Sequence, residues 1–430
     1  MFGHVLWSGG MSLTQRFPLR DETIEADALV GELRGEPEGG RLKVGDERVI
    51  EFLTKFARKL LAPATARRFP ELASLGFFLR KGEIHKALAS LADGDDSTIR
   101  FPRGLVFHVP PANVDTIFVY SWALSALAGN HNVVRVSSRS AGAAETVLEA
   151  LNAALSDVDE ATARAITRTQ RMVTYDRSDA ISGALSKACD LRVIWGGDGS
   201  VNALRQYPLA AHARDLTFPD RSSFAIASVQ GWQSATPEER RQAAEGFYND
   251  SYWFDQAACS SPRAVFWVGD ADAAATAGKE LRTLLAGVLG EKQHVTEPAM
   301  AVQKRVSAYG AAIDGLINKI SFDGAGADTN GVATLDLVDS AHMPREWLGA
   351  GTFAHGSVRS LSELVPLVVR KDQTVSQFGF SRAELIEFAH ELGGRGVDRI
   401  VPFGSALTFS AVWDGYDLLG EFSRLVTVTA

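Results

Sequence analysis

GLVFHVPPANVDTIFVYSWALSALAGNHNVVRVSS, residues 104–138, sets two short β-rich runs, GLVFHV and NVVRVSS, on either side of a longer stretch that reads as a helix. Short β-rich runs alternating with helical segments are the signature of a parallel α/β sheet. The rhythm continues downstream. AAETVLEALNAAL (143–155) is expected to be a helix, RMVTYD (171–176) and LRVIWGG (191–197) strands, and SDAISGALSKA (178–188) the helix between them. This is the cadence of a dinucleotide-binding fold. Upstream, residues 1–100 are mixed and charged; the Gly-rich EPEGGRLKVGDERV (36–49) suggests strands before the helical VIEFLTKFARKLLA (49–62).

Further along, RSSFAIASV (221–229) precedes SATPEERRQAAEGFYND (234–250). Thr236 can cap that helix, Pro237 suits its first position, and Glu239 can close a capping box. AVFWVG (264–269) then reads as a buried strand, so FDQAACSSPR (254–263) is a tight helix-to-strand connection. The final RIVPFGSALTFSAVWDGYDLLGEFSRLVTVTA (399–430) is broken by Pro and Gly and ends β-rich, as a returning or interface strand would.

The chain has 430 residues, 46% of them hydrophobic. Single cores stop growing near ~250–300 residues, so at least two domains are expected. Forty-four basic against 52 acidic side chains give a formal charge of −8 without a long basic run, which speaks against a nucleic-acid partner. Two cysteines, Cys189 and Cys259, provide neither a disulfide framework nor a four-thiolate zinc site. No secretory signal pattern opens the chain, and the longest apolar run, TIFVYSWALSALAG (116–129), is shorter than a spanning helix needs. A cytoplasmic protein with no membrane span is the expectation.

Cys259 sits among polar neighbours, Gln256, Ser260, Ser261 and Arg263. A few per cent of an ordinary thiol is thiolate at neutral pH, and that fraction is strongly nucleophilic. From the residues alone, nucleophile and inert filler both stay open. Cys189, among apolar neighbours where a helix meets a strand, reads as filler. Asn113 is suited to capping the helix that follows it, or to donating a hydrogen bond to an oxyanion. In VIWGGDGSVNAL (193–204), Gly196, Gly197 and Ser200 lead a strand into a helix whose N-terminus suits a pyrophosphate. Asp198 in that turn argues partly against it, and an ordinary glycine turn remains the other reading.

Taken together, VPPANVDTIFVYSWALSALAGNHNVVRVSS, FDQAACSSPR and RIVPFGSALTFSAVWDGYDLL resemble the LuxC-type acyl-CoA reductases of bacterial bioluminescence, a divergent branch of the aldehyde dehydrogenase superfamily. The resemblance runs from about residue 100 to the end. It implies an aldehyde-dehydrogenase-like α/β fold: an N-terminal region with a Rossmann-type NADPH-binding domain (1–245), an α/β catalytic domain carrying Cys259 (246–400), and a C-terminal oligomerisation segment (401–430). Pro111, Ala112 and Asn113 match the superfamily's Pro-Trp-Asn motif, with Ala112 replacing the tryptophan. Gly129, Asn130 and Arg135 match its Gly-Asn and lysine positions. Gln256, Cys259 and Arg263 match the motif around the nucleophile, making Cys259 the nucleophile and Asn113 the oxyanion donor.

Two departures carry information. Where NAD-dependent members hold a ribose-binding glutamate, this chain has Ser138, in the run Arg135, Ser137, Ser138, Arg139. No carboxylate is left there to repel a 2′-phosphate, so NADPH is the expected cofactor. In LTFPDRSSFAI (216–226) the glutamate that activates water in hydrolytic members is missing, and Asp220 is the only carboxylate nearby. The resemblance therefore implies NADPH-dependent reduction of an acyl-CoA or acyl-protein thioester to a fatty aldehyde. It also implies an acyl-protein synthetase partner and a homo-oligomer. An oxidative aldehyde dehydrogenase, and an acyl carrier or transferase without hydride transfer, stand as alternatives.

Overall fold

The structure, a computed structural model, describes residues 11–35, 40–91, 97–111, 117–137, 142–325 and 328–429. They form two compact units, one running to Pro219 and resuming at Phe409, the other spanning Asp220–Thr408.

In the first unit the strands are β1 (Ser12–Phe17), β2 (Ile24–Glu25), β3 (Thr98–Pro102), β4 (Leu105–Val109), β5 (His131–Arg135), β6 (Gln170–Thr174), β7 (Leu191–Trp195) and β8 (Arg214–Phe218). All but β3 join one seven-stranded sheet in the order β2-β1-β6-β5-β4-β7-β8. From β6 to β8 every pairing is parallel, and β1 lies antiparallel to β6. The chain winds outward from β4 through β5 to β6, then returns to β4's other side with β7. That reversal between β4 and β7 is where an open α/β sheet leaves a crevice at the carboxyl ends of its strands.

The segment between β4 and β5 is the expected helix, shorter than its sequence pattern, at Ile117–Leu127. All eleven of its residues are buried, as an all-round apolar helix requires. Helix Glu47–Leu60 buries Val49, Phe52, Leu53, Phe56 and Leu60, and Phe52 meets Trp122 edge-on at 6.2 Å. The stretch expected to bring strands here does not: its described residues 40–46 lead straight into that helix, because Asp46 accepts from Arg48 N–H as its N-cap.

Four polar side chains are sealed into this core. His108 Nδ1 meets Ser121 Oγ at 2.8 Å and Nε2 meets Asn132 Oδ1 at 2.9 Å; Asn132 and Trp122 both donate to Gln170 Oε1 at 2.8 Å. Burial pushes the His108 imidazolium down from 6.5 to about 4. Between those two values the unfolded chain binds a proton that the folded chain refuses, so stability is lost as pH falls from 6.5 towards 4. The loss reaches about 3 kcal/mol from this group. Urea melts at pH 7 and pH 5 should show the drop, and His108→Gln should flatten it.

The second unit carries β9 (Ser222–Ser228), β10 (Pro262–Val268), β11 (Ile317–Asp323), β12 (Val332–Leu337), β13 (Thr352–Val358), β14 (Asp372–Phe378) and β15 (Arg399–Pro402). Their order is β11-β12-β13-β10-β9-β14-β15, parallel throughout except for the edge strand β11. The helix at Pro237–Tyr252 begins with the anticipated capping box between Thr236 and Glu239.

At the end of the chain, β16 (Val412–Trp413) and β17 (Tyr416–Asp417) form a small hairpin, and β18 (Ser423–Thr427) pairs antiparallel with β3. Both expected domain boundaries need correction. Residue 245 lies inside the helix Pro237–Tyr252, and β9, well before it, is central to the second sheet. Residue 401 lies in β15, which is hydrogen-bonded to β14, while Phe409 packs on Tyr120 at 4.9 Å and so starts the return to the first unit.

Candidate active site

Cys259 stands at the crest of two successive β-turns. The first, Phe254 to Ala257, is closed by a 2.7 Å bond from Ala257 N to Phe254 O. Its central residues Asp255 and Gln256 have φ of 48° and 57°, the sign pattern of a type I′ turn. For residues with a Cβ such backbone costs on the order of 1 kcal/mol each and persists only where surroundings enforce it. Gln256 supplies the enforcement. Its side chain, 1% exposed, accepts from Thr352 N–H at 3.0 Å and donates to Pro262 O at 2.8 Å and Thr352 O at 3.1 Å, stitching the turn to β10 and β13. Trp347 Nε1 donates to Asp255 O at 2.8 Å from the other side.

The second turn, Ala258 to Ser261, is closed by Ser261 N to Ala258 O at 3.0 Å and leads directly into β10. Cys259 is its second residue and is partly exposed. The Ser223 hydroxyl accepts from Thr374 N–H at 3.1 Å and donates to the Cys259 carbonyl at 2.7 Å, fixing the peptide plane that follows the thiol. Cys189 is the opposite case. It is 1% exposed, its Sγ donates to Ser186 O, and burial pushes its thiol up to about 12.

Around the Cys259 turn the groups are tuned by burial. Asp255 is held above, and His294 below, its ordinary value, and Lys304 is pushed down to about 8 while donating to Asn330 O and Gly331 O. Arg263 is 8% exposed, with Nη1 donating to Arg345 O at 2.6 Å. Asp220 is engaged by Lys371 Nζ at 3.0 Å.

The residues expected to hold a cofactor belong to the first unit. Pro111 follows β4, while Gly196 and Gly197 follow β7, so they flank the crevice at the sheet's reversal. Gly196 has φ +152°. Gly197 caps the helix Asp198–Arg205 without a side-chain bond, and Ser200 lies in its first turn. Arg135 ends β5 with its guanidinium 4.7 Å from the Tyr175 ring centroid, and Ser137 follows two residues later. Asn113, Ser138 and Arg139 lie outside the described residues. Asn130, matched to a superfamily motif, is a structural stitch: its Oδ1 accepts from Arg103 and Gly104 N–H and its Nδ2 donates to Phe422 O.

Three supports of the cysteine turn, Ser223, Arg345 and Asp372, have no motif around them. Arg345 grips the fully buried Asp372 through Nε at 2.8 Å and Nη2 at 2.9 Å.

The two sheets, with β4–β8 doubly wound and the Cys259 turn leading into a parallel strand of the second, define the aldehyde dehydrogenase fold. A putative aldehyde dehydrogenase from Burkholderia cenocepacia superposes with a TM-score of 0.63 at 15% identity, covering 97% of this chain and 96% of that one. KauB, an aldehyde dehydrogenase from Pseudomonas aeruginosa, superposes with a TM-score of 0.62 at 11% identity over 100% and 94% of the two chains. Within that fold the chain belongs to the acyl-CoA reductase (LuxC) family, whose model matches residues 87–321. A long-chain acyl-protein thioester reductase of Photorhabdus laumondii is 26% identical over 344 residues, 77% of this chain. Its counterpart in Aliivibrio fischeri is 25% identical over 191 residues, covering 44% of this chain and 37% of the relative. The chain spans 65% of the length of the Photorhabdus protein.

Proposed function

We propose that this protein reduces an acyl thioester, carried on coenzyme A or on a protein, to an aldehyde through an acyl-enzyme on Cys259, with NADPH as reductant. The observation that carries the reading is the Cys259 turn: a partly exposed thiol raised on a backbone that Gln256 and Ser223 hold rigid, in a chain whose other thiol is sealed. The names of the relatives support the substrate class.

The Cys259 thiolate attacks the thioester carbonyl. A new C–S bond forms, the bond to the departing thiol breaks, and that thiol leaves with the proton Cys259 gave up. Asn113 and the Cys259 backbone N–H stabilise the intermediate oxyanion. A reduced nicotinamide supplies the hydride when bound. The tetrahedral thiohemiacetal oxyanion then collapses to aldehyde, the C–S bond breaks, and the departing Cys259 sulfur takes up a proton to return as the thiol. Hydrolysis of the acyl-enzyme needs a base for water, and the carboxylate nearest in sequence to the missing glutamate, Asp220, is tied to Lys371.

The first unit fits a dinucleotide at the β4/β7 crevice. Gly196 and Gly197 present bare backbone there beside Pro111, Ser200 stands in the helix turn that follows, and an added Cβ on Gly197 would meet nothing within 4 Å. Arg135, Ser137 and Ser138 would take the 2′-phosphate of NADPH, with Arg135 already braced on Tyr175. The ribbon of β3 and β18 exposes Ile99, Phe101, Leu425 and Val426, which suits a homo-oligomer joined through it. An acyl-protein synthetase is the proposed acyl donor partner.

Intact-protein mass spectrometry after incubation with acyl-CoAs of graded chain length tests the reading. An acyl adduct on Cys259 is expected without reductant and is discharged as aldehyde by NADPH, more efficiently than by NADH. No adduct with any donor refutes the reading; an adduct that neither nucleotide discharges marks a carrier or transferase instead.

A further inference from the structure

Arg263 enters the second unit's core as an unbalanced charge. Its side chain is 8% exposed, and one guanidinium bond is accounted for, Nη1 to the Arg345 carbonyl at 2.6 Å. Its Nε is buried without a hydrogen-bond partner, and among the described residues no carboxylate lies within ion-pair distance of it. Two carboxylates of the same unit, Asp372 and Asp220, are committed elsewhere. Asp372 is held bidentately by Arg345, and Asp220 pairs with Lys371 at 3.0 Å. A buried cation without a counter-charge is strongly destabilising, so an anion must meet it for at least part of its working life.

Arg263 lies four residues beyond Cys259, at the start of the strand into which the cysteine turn opens. Burial disfavours the Arg263 cation, and the groups placed to offset that are Cys259, were it ionised, and then Asp220. The turn cannot swing away, because Ser223 holds the Cys259 carbonyl and Gln256 holds the preceding turn to β10 and β13.

We propose that the buried guanidinium of Arg263 is the built-in counter-charge of Cys259, a positioning residue that keeps the sulfur in its thiolate form and ready to attack. The inference deepens the acyl-reductase reading and rests on it for its purpose, though not for its chemistry. An opposite charge within ~4–6 Å of an acid typically favours its ionised form by about one to three pH units. A guanidinium keeps its charge even when desolvated, which an ammonium in the same place would not reliably do. That is a reason for arginine rather than lysine at 263.

The test is the pH profile of Cys259 alkylation by iodoacetamide, read on the Cys259 peptide by mass spectrometry in the full-length chain. Cys189 is buried and does not compete. The native chain should alkylate with a midpoint about one unit or more below that of the same cysteine in the urea-unfolded chain, and Arg263→Met should move the native midpoint up by a similar amount. A purely structural arginine would change stability or accessibility, hence the rate at every pH, while leaving the midpoint in place; that result overturns the proposal. Should Arg263→Met fail to fold, the native-against-unfolded comparison in the unmodified protein decides alone, and a native midpoint at or above ~8.5 overturns the proposal equally. Alkylation needs neither acyl donor nor nicotinamide. A low midpoint in a protein that never acylates would therefore refute the reductase reading and leave this one standing; acylation with an unshifted midpoint would do the reverse.

Discussion

Cys259→Ala should abolish acyl labelling and reductive turnover together, with turnover falling at least ~10⁴-fold, because a nucleophile that acts as one unit with its surroundings has no partial substitute. Cys189→Ala, matched for folded fraction, should keep both. The contrast follows from environment. One sulfur sits partly exposed on a turn braced by Gln256 and Ser223, the other is 1% exposed with its thiol pushed up to about 12. Cys259→Ser sharpens the result. A hydroxyl keeps the shape but not the acidity, and a counter-charge that stabilises a thiolate cannot ionise an alcohol at neutral pH. Labelling by acyl-CoA, read by intact mass, and NADPH consumption, read by nicotinamide absorbance, should both stay at background in the serine variant. Acyl labelling that survives in Cys259→Ala would place the nucleophile elsewhere.

How much of this was legible in the sequence depends on the range of the interaction. The succession β4, helix Ile117–Leu127, β5 was readable because burial on all sides imposes a local apolar pattern, and the Thr236–Glu239 box because a cap is a four-residue event. The cysteine turn showed as a tight connection for the same reason. What braces it was not legible. Ser223 reaches Cys259 across 36 residues and Arg345 reaches Arg263 across 82, and nothing local marks either end. The unit boundaries failed likewise: β9 is assigned to the second sheet by its pairing with β10 and β14, which its own seven residues do not specify. The returning strand at the C-terminus was anticipated from its composition, whereas its partner, β3, lies in a region whose mixed sequence offered no reading. Asn130, matched to a superfamily motif without an assigned role, serves as a stitch between chain segments.

Asp372→Ala should cost the second unit about 3–5 kcal/mol, the penalty for stripping one partner from a buried ion pair. Asp372 is 0% exposed and satisfies Arg345 twice while accepting from Val369 N–H at 2.9 Å; without it the Arg345 guanidinium keeps the Leu367 carbonyl as its remaining acceptor. Urea denaturation followed by tryptophan fluorescence, with Trp232 and Trp267 buried in that unit, would read the loss. Removing both charges, in Arg345→Met with Asp372→Leu, should recover much of it, since a buried pair replaced by apolar side chains of similar volume is often neutral. A double variant as unstable as the single would mean that the backbone bonds to Val369 and Leu367, not the charges, hold this corner. The two variants also separate stability from chemistry. Arg345 offers its backbone carbonyl, not its side chain, to Arg263, so a double variant that restores the fold should restore the alkylation midpoint of Cys259 with it. If the fold returned while the midpoint stayed displaced, the Arg345 guanidinium itself would have to be part of the field that acts on the sulfur.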